Sequence, residues 1–125
     1  MKKNIFLLLL SVFTLNACQS QSAANGEAVL PPKAYQAKLD SIEHVQLLDV
    51  RTPKEYRAGH IEGAELINFF DSYFVERVEA NFDKSQPLLL YCRSGNRSAK
   101  AAAKLKAAGF SEIYDLKGGY RVWEE

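Results

Sequence analysis

The chain predicts an α/β fold: one domain built on a central parallel five-stranded sheet with helices on both faces. Three observations predict it. Short apolar runs of strand length, above all Leu88-Leu89-Leu90-Tyr91, have no polar face and so read as strands covered on both sides. Segments with apolar residues at helical spacing fall between those runs, and strands alternating with helices imply parallel pairing through right-handed crossovers. At 125 residues and 47% hydrophobic content, the chain suffices for one modest core.

Ala28-Val29-Leu30 reads as the first strand, stopped by Pro31 and Pro32. Pro32 suits the first turn of a helix whose apolar positions are Ala34, Tyr35, Leu39 and Ile42. Val45 to Val50 is the second strand, and Thr52 then caps a short helix opened by Pro53, with Arg51 and Glu55 spaced to pair. Gly59 to Ala64 is a loop leading to a third strand over 66–68. Phe74, Val78 and Phe82 form the buried stripe of a helix, preceded by Phe69 and Phe70, which pack there or line the rim of a site. After the strand at 88–91, a helix begins with Ser98 as its cap and turns Ala101, Ala102, Leu105 and Ala108 to the sheet, with Gly109 just past its end. Ile113 to Leu116 is the last strand, and Gly118-Gly119 turns into a short helix carrying Tyr120, Val122 and Trp123.

The chemistry concentrates between the fourth strand and its helix, in Cys92, Arg93, Ser94, Gly95, Asn96 and Arg97, with Ser98 following. A thiol at the carboxyl end of a buried parallel strand, facing a helix N-terminus, lies where backbone N–H groups and the positive end of the helix dipole converge. That setting and two arginines favour a thiolate at neutral pH. Gly95 permits the positive φ that so short a loop needs to turn its amides inward, and Asn96 tolerates the same region. Ser98 adds a spare hydroxyl. The plain alternative, a buried cysteine acting as a small hydrophobe, leaves the two arginines and the glycine turn unexplained.

Four blocks carry a resemblance: LLDVRTPKEYRAGHIEGA at 47–64, YCRSGNRSAKAAAKLKAAG from Tyr91, Gly109 with Phe110, and LKGGYRVW at 116–123. In that order they resemble the rhodanese (sulfurtransferase) family from about Val29 to Trp123. The resemblance implies a persulfide-forming Cys92 within an anion-binding loop of Arg93, Ser94, Gly95, Asn96, Arg97 and Ser98. It implies a supporting, mainly architectural role for Asp49 and Arg51 at the end of the second strand. His60, in the GHIEGA segment, is a packing and turn residue on this reading, because a thiolate stabilised by amides and arginines needs no base. No metal or organic cofactor is required.

Upstream, Lys2 and Lys3 precede an apolar stretch from Ile5 to Leu15, too short to span a bilayer but suited to an export signal. Leu15-Asn16-Ala17-Cys18 resembles the lipobox of bacterial lipoproteins. Residues 1–17 are therefore expected to be a signal peptide, 18–27 a lipidated cysteine with a polar tether, and 28–125 the domain. Cys18 blocked by lipid would leave Cys92 as the one free thiol. The expected location is the cell envelope, facing the periplasm, with the outer membrane favoured because Gln19 rather than Asp follows Cys18.

Three function classes compete. The first is a sulfurtransferase using a small thiosulfate-like anion as donor and a thiol or cyanide as acceptor. The second is a non-catalytic sulfane-sulfur carrier or binding module, which would need the same loop. The third is a Cys-dependent phosphatase or arsenate reductase. Four residues separate Cys92 from Arg97, one fewer than in phosphatases of this type, and the smaller ring suits a single sulfur. A formal charge of +1 gives no sign of nucleic-acid binding, no cluster of Cys and His suggests zinc, and a monomer is expected.

Overall fold

The computed structural model describes residues 26–124. The leader, Cys18 and most of the tether lie outside the described residues.

Ten elements alternate along the chain: β1 (Glu27–Leu30), α1 (Pro32–Ser41), β2 (Gln46–Asp49), α2 (Pro53–Ala58), β3 (Glu65–Leu66), α3 (Phe74–Asn81), β4 (Leu88–Tyr91), α4 (Asn96–Ala107), β5 (Ile113–Leu116) and α5 (Tyr120–Trp123). The five strands form one sheet in the order β1-β5-β4-β2-β3, and every pair is parallel. β4 is central and all four of its residues are buried, so its apolar run without alternation is explained by cover on both faces.

Two apolar layers flank the sheet. On one face, Leu48, Leu88, Leu90 and Ile113 pack with Phe74, Val78 and Phe82 and with Ala101, Ala102 and Leu105 of α4. On the other, Leu47, Leu89, Tyr91 and Leu116 pack with Tyr35 of α1 and Ile61, flanked by Tyr120 and Trp123 of α5. A leucine fully buried in such a layer contributes roughly 1.5–3 kcal/mol. The alanines matter by being small, since they let α4 lie close against β4 and β5.

Local chemistry sets the ends of several elements. Thr52 caps α2 in a reciprocal capping box with Glu55. α4 ends in a Schellman arrangement: the Phe110 amide bonds the Leu105 carbonyl at 3.1 Å and the Gly109 amide bonds that of Lys106 at 3.0 Å, with Gly109 at φ 103°.

The structure departs from the sequence-based expectation at several points, among them β2, which is Gln46–Asp49 rather than 45–50. β1 starts at Glu27, a residue expected in the tether; the carbonyl of Gly26 already accepts the Ile113 amide at 2.7 Å. β3 is Glu65–Leu66 rather than 66–68, because only two residues hold register with β2 before the chain turns away. Ala34 is exposed on α1, and the helix instead buries Tyr35, whose hydroxyl donates to the Leu90 carbonyl at 3.0 Å. α4 begins two residues before Ser98, because Gly95 in the left-handed region (φ 108°, ψ −13°) serves as the N-cap. Arg51 and Glu55 do not pair, each being held by another partner.

Candidate active site

Cys92 stands one residue past the end of β4 and is 1% exposed. Open parallel sheets place their sites at the carboxyl ends of strands, and this is such a position. The turn from strand to helix is completed by Gly95. Its amide donates to Cys92 Sγ at 3.0 Å, and its carbonyl accepts the Ala99 amide at 3.1 Å, the first bond of α4. A Cβ added to Gly95 would meet nothing within 4 Å, so the requirement for glycine here is the positive φ and not space.

Ser98 is fully buried one turn into α4. It does not cap the helix. Its Oγ lies 3.2 Å from Cys92 Sγ and 3.3 Å from the Gly95 carbonyl, to which it donates. The sulfur thus has one amide donor and one hydroxyl within hydrogen-bond distance, supplied by two successive turns of the same strand-to-helix connection. Asn96, expected to share the left-handed region, is the first residue of the helix instead. Arg93, Ser94 and Asn96 are all exposed.

Arg97 departs from its expected role. Its guanidinium is not spent on the sulfur but grips Glu55 of α2 in a two-point ion pair, with nitrogen–oxygen distances of 2.8 and 3.0 Å. That pairing, with help from Thr52, holds the Glu55 carboxyl down to about 2. It also raises Arg97 above its ordinary value, with a smaller contribution from the Cys92 sulfur. Glu55 is the residue that sequence reasoning missed. Spacing paired it with Arg51, but its partner lies 42 residues away.

Asp49 and Arg51 form a buried pair beneath the loop. Arg51 donates to Asp49 through its amide, Nε and terminal nitrogen at 2.7–3.1 Å, and to the Gly59 carbonyl at 2.7 Å. Burial works against the Arg51 charge, but the Asp49 contacts outweigh it and the guanidinium ends above its ordinary value. Tyr91 donates to Asp49 at 2.7 Å and accepts the Ile61 amide at 3.1 Å. Burial first, then the Asp49 charge, pushes that phenol well above its usual range. The network ties the end of β2 to β4 and to the 59–61 loop. His60 stacks on Tyr56 with ring centroids 3.7 Å apart and is exposed. Phe69 packs on Phe74, while Phe70 is 67% exposed.

α5 closes the site from the side. The Tyr120 amide bonds the Cys92 carbonyl at 2.8 Å and the Arg121 amide bonds the Arg93 carbonyl at 3.1 Å. The turn that delivers α5 runs so close to the loop that Gly119 has no room for a side chain: a Cβ there would sit 2.4 Å from the Arg93 carbonyl. Beside the loop, Arg51, Lys54, Glu55, Arg93 and Tyr120 line an open cleft of about 440 Å³, within the range that receives small molecules. This arrangement can hold a sulfur nucleophile beside an amide, a hydroxyl and a cation, which is the equipment of covalent catalysis at an anion.

Known proteins share this construction. Residues 31–125 match the model of the rhodanese-like domain. Thiosulfate sulfurtransferase 18 of Arabidopsis thaliana is 34% identical over 113 residues, covering 82% of this chain and 83% of that protein. Thiosulfate sulfurtransferase GlpE of Pseudomonas entomophila is 40% identical over 81 residues, covering 65% of this chain and 72% of that protein. Among solved structures, a rhodanese-like domain protein from Staphylococcus aureus superposes with a TM-score of 0.67 at 29% identity, covering 77% of this chain and 90% of the other. The chain therefore belongs to the rhodanese-like domain family and is a rhodanese-type sulfurtransferase.

Proposed function

We propose that the enzyme moves sulfane sulfur from thiosulfate, or an anion like it, to a thiol or cyanide through a persulfide on Cys92. The observation that carries this reading is the placement of Cys92 Sγ against the Gly95 amide and the Ser98 hydroxyl. In the first half-reaction the Cys92 thiolate attacks the outer sulfur of thiosulfate. The sulfur–sulfur bond of the donor breaks, and sulfite leaves with the electron pair. Cys92 then carries a terminal sulfur with a negative charge. In the second, a thiolate or cyanide attacks that terminal sulfur, and the electron pair returns to Cys92. No net oxidation occurs. The Gly95 amide is aimed at the sulfur before reaction, so this donor need not reorganise as charge moves on and off it.

Intact-protein mass spectrometry after incubation with thiosulfate tests this. The expected result is the gain of one sulfur, located on the Cys92 peptide and removed by cyanide. A carrier would load sulfur but sustain thiosulfate-dependent thiocyanate formation no faster than Cys92→Ser, and a phosphatase would load none.

The same reading places the domain in the cell envelope, lipid-anchored through Cys18 and facing the periplasm, with the outer membrane favoured. The support is the sequence of the leader: Lys2 and Lys3, the apolar run, and Leu15-Asn16-Ala17-Cys18. Expressed in a bacterium fed labelled palmitate, the chain should take up label and pellet with membranes, and Cys18→Ser should do neither. An unlabelled wild-type chain would discard the anchor.

A further inference from the structure

Behind the nucleophile lies a carboxyl group that the sulfur-transfer steps do not use. Asp115 stands in β5, 3% exposed, on the sheet face that α4 covers. It is in register with Leu90 of β4, two residues before Cys92, and with Val29 of β1. Among the described residues, Asp115 Oδ1 has no hydrogen-bond partner. A buried carboxylate oxygen left so is costly, and natural structures rarely keep one without a reason.

The neighbour that matters is Ser98. Its hydroxyl has one proton and several claimants: the Gly95 carbonyl at 3.3 Å, Cys92 Sγ at 3.2 Å, and the Asp115 carboxyl behind it. Ser98 makes no close bond to Asp115, yet it lies near enough to offset part of the cost of the carboxylate's charge. Burial dominates, however, and with the Glu27 charge working in the same direction it lifts Asp115 to about 6.

We propose that Asp115 is a positioning residue for sulfur transfer, acting through the Ser98 hydroxyl to decide whether that hydroxyl's proton is offered to the Cys92 sulfur. As the neutral acid, Asp115 can donate its O–H to Ser98 Oγ, which leaves the Ser98 proton free for the thiolate or persulfide anion. As the carboxylate it competes for that proton, which takes the Ser98 donor away from the sulfur anion. No proton passes to the sulfur; the proton that Asp115 loses goes to solvent. The titratable groups facing Asp115 are few. Glu27 approaches from β1, Tyr35 of α1 from the opposite face of the sheet, kept neutral by burial, and Cys92 through Ser98. The proposal rests on Cys92 as the nucleophile but needs no particular sulfur donor.

The test is the rate at which iodoacetamide alkylates Cys92 in the full chain, followed on the Cys92 peptide from pH 5 to 9. The wild type should show an inflection near pH 6 in addition to the ionisation of the thiol itself. Asp115→Asn, whose amide can donate to Ser98 as the acid does, should lose that inflection and react up to about tenfold faster at pH 7. Its stability should also stop falling between about pH 4 and 6. In the wild type, the unfolded chain gives up the Asp115 proton before the folded one does, so raising the pH across that window favours unfolding. Ser98→Ala breaks the link while keeping the acid, and should lose the inflection too, which covers the case in which Asp115→Asn does not fold. A wild-type profile with a single inflection, or an inflection near 6 that survives in either variant, overturns the proposal. A chain that alkylates as expected but takes no sulfur from thiosulfate keeps this proposal and discards the sulfur-transfer reading.

Discussion

Cys92→Ser should lower thiosulfate-dependent thiocyanate formation by about a thousandfold or more, to the level of the uncatalysed background. The substitution exchanges one atom. A serine oxygen can still accept the Gly95 amide and face Ser98 Oγ, so the loop keeps its local hydrogen bonds. The melting transition should therefore move by no more than about 1 kcal/mol in stability, the range for a change that leaves packing and partners in place. What is lost is the nucleophile: an alcohol at this position cannot form a persulfide, and no histidine stands ready to activate it, since His60 is stacked on Tyr56 with its Nδ1 directed at the Tyr56 carbonyl. Retention of wild-type turnover would mean that the sulfur is carried elsewhere, and the mechanism above would fall with it.

Gly119→Ala should cost the enzyme about 10–100-fold in the same assay while leaving Cys92 in place. Two effects combine. Gly119 lies at φ 69°, ψ −167°, a region almost reserved for glycine, so a side chain there is strained by roughly 1–3 kcal/mol whatever surrounds it. The space is also closed, because the new Cβ would fall 2.4 Å from the Arg93 carbonyl and 2.6 Å from the Ser94 amide nitrogen. Those are backbone atoms of the catalytic loop and cannot turn aside as a flexible side chain would. Either the loop or α5 must move, and α5 is tied to the loop through Tyr120 and Arg121. The expected signature is a fall in turnover with loading still measurable by mass spectrometry. An unchanged rate would show that the loop tolerates displacement and that its geometry is less demanding than argued. Gly95→Ala makes a useful contrast, since that position has the strained φ without the clash.

Much of the molecule was legible in the chain because the signals were local. The strand at 88–91 is an unbroken apolar run, the Phe74–Val78–Phe82 stripe repeats every helical turn, and Thr52-Pro53 marks the cap and first turn of a short helix. Cys92 between a buried strand and a glycine turn stood out as a candidate site by the same kind of signal. Where local rules compete, spacing alone misleads: Ser98 is a good cap in isolation, but Gly95 reaches the left-handed region at less cost and takes the position, which releases Ser98 to face the sulfur.

The sequence by itself determined the class of the fold, the strand–loop–helix unit and the thiol at its turn, since each follows from propensities and spacings over a few positions. Only the tertiary structure decided which charges serve that residue. Arg97 meets Glu55, Asp49 meets Tyr91, and Asp115 comes to lie beside Leu90, two residues before Cys92, all through the order and register in which parallel strands are laid side by side. A shift of one residue in β2, β4 or β5 would turn Asp49, Tyr91 or Asp115 to the opposite face, and nothing within a single segment specifies that register.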